Sequence, residues 1–95
     1  GDVWKAYVQA KRDADAALRA SSLRWTIIRP GALTDDEPTG RVLLGPQVDR
    51  GEIPRADVAA VLAAVLDDNR TSGRQWELVS GPGSIHEAVT AALSS

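Results

Sequence analysis

The chain has 95 residues, 43% of them apolar, with three Trp, one Tyr and no Phe, and a formal net charge of −2. That length makes one small domain. Interspersed charges leave no basic stripe for a phosphate backbone, no cysteine provides a disulfide, thiolate nucleophile or thiolate metal site, and no apolar run nears the ~20 residues that span a bilayer.

A nucleic-acid partner and a membrane partner are therefore not expected, and the expected setting is cytoplasmic. With no methionine and a Gly1-Asp2 start, the sequence is expected to be less than a complete translation product.

In chain order, Asp2 caps an expected helix from about Val3 to Ala20, rich in Ala, Lys, Arg and Asp and free of Gly and Pro. "LRWTIIRP" (23–30) is β-branched and aromatic, stops at Pro30-Gly31, and is expected to be a buried strand. Residues 31–40 read as loop, "RVLLG" (41–45) as a short second strand, and "PQVDRGEIP" (46–54) as loop. Arg55 to about Asp68 is an expected helix whose apolar residues nearly encircle it, which suggests burial against more than one neighbour. "TSGR" turns the chain, "QWELVS" (75–80) is a strand, and Ser84-x-x-Glu87 is a capping box opening a helix to about Leu93.

The order α-β-(β)-α-β-α belongs to an α/β domain with a parallel sheet covered by helices. It begins on a helix with no strand before it and has few strands for such a sheet. It therefore predicts the carboxyl-terminal half of a doubly wound domain.

On the first expected helix Trp4, Tyr7, Lys11, Ala14 and Leu18 share one stripe, with Tyr7 and Lys11 at its centre. If that stripe borders a cleft, both polar heads point into it. An ammonium one turn away favours the phenolate and lowers a phenol pKa from its usual value near 10, making a general acid/base for an alcohol or carbonyl oxygen. The same spacing also suits a tyrosine packing its ring and a lysine snorkelling along the apolar face.

Tyr7-x-x-x-Lys11, a strand ending Arg29-Pro30-Gly31, and Arg55-x-Asp57-Val58-Ala59 opening a helix follow one another in that order. This set resembles the short-chain dehydrogenase/reductase superfamily, in particular its atypical NAD(P)H-binding, epimerase-like branch, over nearly the whole chain. The resemblance implies a Rossmann-like fold, NAD or NADP as cofactor and a small-molecule substrate. It implies Tyr7 as catalytic acid/base and Lys11 as the group that lowers its pKa and holds the nicotinamide ribose. Pro30 and Gly31, with Ala32 and Leu33, would contact the nicotinamide. Position at a carboxyl strand end agrees with this, because ligands of open α/β sheets bind there, and a glycine lets backbone approach a flat ring. Asp57 is expected to stabilise its helix start rather than touch substrate.

The family's Gly-rich pyrophosphate turn and the serine that would precede Tyr7 are absent from this sequence. "GPGSIHE" (81–87) is a turn and helix cap, since Pro82 lacks an amide donor. The 95 residues alone are therefore not expected to turn over substrate. Two other readings accompany the oxidoreductase or epimerase one: a non-catalytic NAD(P)-binding redox sensor, and a half-domain that needs its missing amino-terminal half, a second copy or another chain.

Among other candidates, His86 reads as a surface histidine and no metal site is expected. Asp35-Asp36-Glu37 reads as a solvated loop beside the site mouth, and Trp25 and Trp76 as core.

Overall fold

The computed structural model describes residues 4–8 and 24–94. Trp4–Val8 is strand β1, where the sequence pattern suggested the opening turns of a helix over 3–20. Trp, Tyr and Val favour extended backbone. Parallel pairing that runs from Trp4 beside Arg24 to Val8 beside Ile28 satisfies the outer edge of the next strand. A 3-4 spacing of apolar residues is a weak prior, and here edge pairing overrides it. The rest of that expected helix, Lys11 included, lies outside the described residues.

Strand β2 (Arg24–Pro30) follows, then the three-residue β3 (Ala32–Thr34), β4 (Arg41–Gly45) and β5 (Glu52–Pro54). Helix α1 spans Arg55–Leu66, a 3₁₀ turn Asn69–Thr71, β6 Gln75–Ser80, β7 Gly83–Ser84 and helix α2 Ile85–Leu93. Strands β3 and β5 fall inside segments that read as loop. The main sheet has the order β1-β2-β6-β4-β7. Its first three strands are parallel, while β4 and β7 add antiparallel pairs, as mixed doubly wound sheets often do. Separately, β3 and β5 form a two-stranded parallel ribbon.

One face of the sheet builds the core. Ile28, Val42, Leu44, Trp76 and Leu78 meet Val58, Val61 and Val65 of α1 and Ala88, Val89 and Ala92 of α2, with Ile53 of β5 fully buried among them. Trp25 is half-buried, so of the two tryptophans expected in the core, Trp25 and Trp76, only Trp76 is. Burial on α1 follows one stripe, and Ala56, Ala59, Ala60 and Ala63 are exposed. Those alanines supply helix propensity rather than a second packing face. Helix α2 begins with the expected capping box: the Ser84 hydroxyl accepts from Glu87 N–H at 3.2 Å and Glu87 accepts from Ser84 N–H at 3.1 Å. Among the described residues no helix is long and apolar enough to cross a membrane.

A buried polar knot ties β2 to the end of α1. The Thr26 hydroxyl donates to the Thr71 carbonyl at 2.9 Å, and the Thr71 hydroxyl lies 2.9 Å from the Val65 carbonyl and 2.8 Å from that of Asp68. Thr71→Val keeps the shape and removes the donor to these helix-end carbonyls. Its expected cost is about 1–3 kcal/mol, read as a lower denaturation midpoint at unchanged slope.

Candidate functional site

Strand β2 carries the chain to Pro30, where it leaves the main sheet for the ribbon. Gly31 N–H donates to the Leu78 carbonyl at 2.8 Å, and Ala32 N–H donates to the Gly51 carbonyl at 3.0 Å. The transfer takes two residues because Gly31 lacks a side chain. A Cβ at Gly31 would stand 2.2 Å from the Gly51 oxygen and 3.0 Å from Val79 Cγ1. The open side of Gly31 is thus filled by loop backbone. The missing side chain therefore admits the loop at this point.

A cleft of about 540 Å³ opens beside this crossing, within the roughly 300–1,000 Å³ of small-molecule sites. Pro30, Ala32, Val48 and Val79 give it apolar walls, and Arg29, Glu77, Asp49, Arg50 and Glu52 give it charge. Arg29 and Glu77 are neighbours in the β2–β6 register, and their side chains, 16% and 24% exposed, approach at 3.8 Å. Glu77 also accepts from Val48 N–H at 2.9 Å.

Behind the cleft, the start of α1 fastens the loop that precedes β4. The carboxylate of Asp57, 1% exposed, accepts from Thr39 N–H at 2.9 Å, the Thr39 hydroxyl at 3.1 Å and Gly40 N–H at 2.9 Å. Gly40 turns with φ of 68°, which aims its amide at the acid. Burial pushes the Asp57 carboxyl up, but these three donors together hold it below the ordinary carboxylate value. Asp57 therefore does more than favour its own helix start: it clamps a loop 17 residues upstream. Arg55 adds an exposed ion pair to Asp35 at 3.0 Å, a contact of small energetic weight.

Of the expected site residues, Pro30, Gly31 and Ala32 line the cleft. Leu33 lies one residue further along β3, is 41% exposed and is not part of the lining. Tyr7 sits in β1 beside Ile27; its backbone is described and its side chain is not. Lys11 lies outside the described residues. His86 is exposed, and no cluster of metal-ligating side chains occurs among the described residues. Asp35, Asp36 and Glu37 are exposed.

The sequence pattern assigns no site role to the loop 46–51 or Glu77, and Arg29 enters only as part of the Arg29-Pro30-Gly31 strand end. The signal available was a charged residue within each strand run, Arg29 next to the end of "RWTIIRP" and Glu77 inside "QWELVS", where hydrophobic residues would otherwise be expected.

Parallel strands ending in a cleft beyond their carboxyl ends, with helices packed on the sheet, form the architecture of dinucleotide-binding α/β domains. The chain belongs to the NAD(P)H-binding family, whose model matches residues 1–69. It is 44% identical over 90% of its length to an uncharacterized sugar epimerase, YhfK, of Bacillus subtilis, covering 40% of that protein. Among solved structures it superposes on a putative NAD-dependent epimerase/dehydratase from Bacillus halodurans with a TM-score of 0.80 and 40% identity, over 86% of this chain and 39% of that one. It also superposes on the oxidoreductase ylbE from Lactococcus lactis with a TM-score of 0.81 and 31% identity, over 90% of this chain and 39% of that one. The chain thus spans about 40% of the length of these relatives.

Proposed function

We propose that this chain is the carboxyl-terminal part of a cytoplasmic NAD(P)-dependent oxidoreductase or epimerase-like protein, and that the cleft at Pro30–Ala32 receives the nicotinamide end of the cofactor. The observation that carries this reading is the cleft itself. It lies where β2 ends and is lined both by apolar residues, Pro30, Ala32, Val48 and Val79, and by charged ones, among them Arg29 and Glu77. A flat aromatic amide fits such a lining, with its ring against the apolar residues and its polar edge toward the charged ones. When bound, the cofactor supplies or accepts a hydride. The pyrophosphate needs a glycine-rich turn that these residues do not contain, so binding is expected only in the longer protein.

In this reading Tyr7 moves a proton to or from a substrate oxygen, and Lys11 lowers the tyrosine's pKa and holds the ribose hydroxyls. The substrate is a small molecule carrying an alcohol or carbonyl. The name of the Bacillus subtilis relative suggests a sugar. The proton-transfer role requires Tyr7 and Lys11 one helical turn apart. It therefore also requires that the longer protein give the β2 edge another strand and release Trp4–Val8.

The extended backbone at Tyr7 favours a second reading, a non-catalytic NAD(P)-binding sensor on the same fold. Tyr7→Phe in the full-length protein separates the two. Under the enzyme reading turnover falls by about 100-fold or more while cofactor affinity holds. Unchanged activity supports the sensor.

A further inference from the structure

The outer wall of the cleft is the loop 46–51, and it is fixed at two places. At its far end the Gly51 carbonyl accepts from Ala32 N–H. In its middle Val48 N–H donates to Glu77. The registers place Arg29 beside Glu77 and Glu77 beside Gly45, so Glu77 is the central member of a row across three strands. Gly45 adds no side chain to that row. A Cβ built there would meet Val48 Cγ1 at 3.8 Å, an ordinary contact, so the loop passes over the row at this position.

One carboxylate therefore serves two sides of the cleft. Its Oε1 holds Val48 of the wall at 2.9 Å, and its Oε2 faces Arg29 Nη1 of the floor at 3.8 Å. A half-buried carboxylate in mid-strand loses hydration that an apolar residue would not need, and such a group is retained where its partners replace the lost water. We propose that Glu77 is a positioning residue that sets the width of the cleft, by fixing the loop at Val48 and the Arg29 guanidinium with a single carboxylate. This rests on the nicotinamide placement proposed above. In this role Glu77 acts through Val48 and Arg29.

The test uses the full-length protein and two probes that differ only in the nicotinamide: NADH with ADP-ribose, or, if the wild type prefers NADPH, NADPH with 2′-phospho-ADP-ribose in place of ADP-ribose throughout. Glu77→Ala is expected to weaken the dinucleotide by about tenfold, the equivalent of one charge-assisted hydrogen bond, and to leave ADP-ribose affinity unchanged. Val48 amide exchange is expected to accelerate in the same variant. Glu77→Gln keeps an acceptor for Val48 and is expected to restore most of both. If Glu77→Ala fails to accumulate, Glu77→Asp keeps the charge but is one methylene short of Val48, and carries the same expectation.

Equal losses for both probes, or Val48 exchange at the wild-type rate, would overturn the positioning role. A wild-type protein that binds both probes equally would instead remove the nicotinamide placement. Val48 exchange would then still report whether Glu77 holds the loop.

Discussion

Replacing Gly31 by alanine is expected to destabilise the full-length protein by about 3 kcal/mol and to abolish dinucleotide binding, because an added Cβ would overpack the loop crossing. The sign of this effect is diagnostic. Among the described residues only Gly40 and Gly73 have positive φ, so the Gly31 backbone suits alanine. On chain entropy alone the substitution would then stabilise by roughly 0.4–1 kcal/mol. Contact opposes it: the new carbon would lie 2.2 Å from the Gly51 oxygen. That atom is backbone, hydrogen-bonded to Ala32, and cannot swing aside as a side-chain end would. Chemical denaturation of the variant decides between the two. A midpoint at or above the wild type would mean that the loop does not sit on Gly31.

Asp57→Ala is expected to cost about 3 kcal/mol as well, since it leaves two amides and a hydroxyl of Thr39 and Gly40 without their acceptor. The pH dependence follows from the lowered carboxyl. A group held below its ordinary value of 3.8 contributes stability that is complete above that value and is lost as pH falls through the lower folded value. Asp57→Asn is therefore expected to flatten the acid limb of the stability profile below about pH 4 while lowering the plateau near neutrality. Asp68 and Glu87 are lowered too, by Arg70 and by Ser84 respectively, and remain titratable in the variant. The difference between the two profiles isolates Asp57. A variant whose acid limb coincides with the wild type would remove the clamp from the account.

How much of this was legible depended on how local the cause was. Strands 41–45 and 75–80 and the helix after Ser84 are legible at their observed bounds, because short apolar runs closed by Gly or Ser and a reciprocal cap are signals carried within a few residues. Helix 55–66 was placed to within two residues of its end. The strand at Trp4–Val8 was hidden behind a helical spacing, since what makes it extended is the free edge of a strand about 20 residues away. Strands β3 and β5 are three residues each, too short for any period to show. At the site, Pro30–Ala32 could be expected from the resemblance to a nicotinamide-binding family. Its wall could not, because Glu77 reaches back 29 residues to Val48 and Asp57 reaches back to Thr39, and neither pairing leaves a mark on sequence spacing.

The β3–β5 ribbon has a consequence for how such a site diversifies. It is joined through main-chain groups, with Ala32 beside Glu52, Leu33 beside Ile53 and Thr34 beside Pro54. Of these six residues only Ile53 and Pro54 are buried. The lip of the cleft is therefore built once, in backbone, and anchored by two neighbouring residues. Exchanges at the exposed lining residues Ala32 or Glu52 can redraw its chemical surface at little cost to the fold, so a change in what the cleft admits would find its first freedom there.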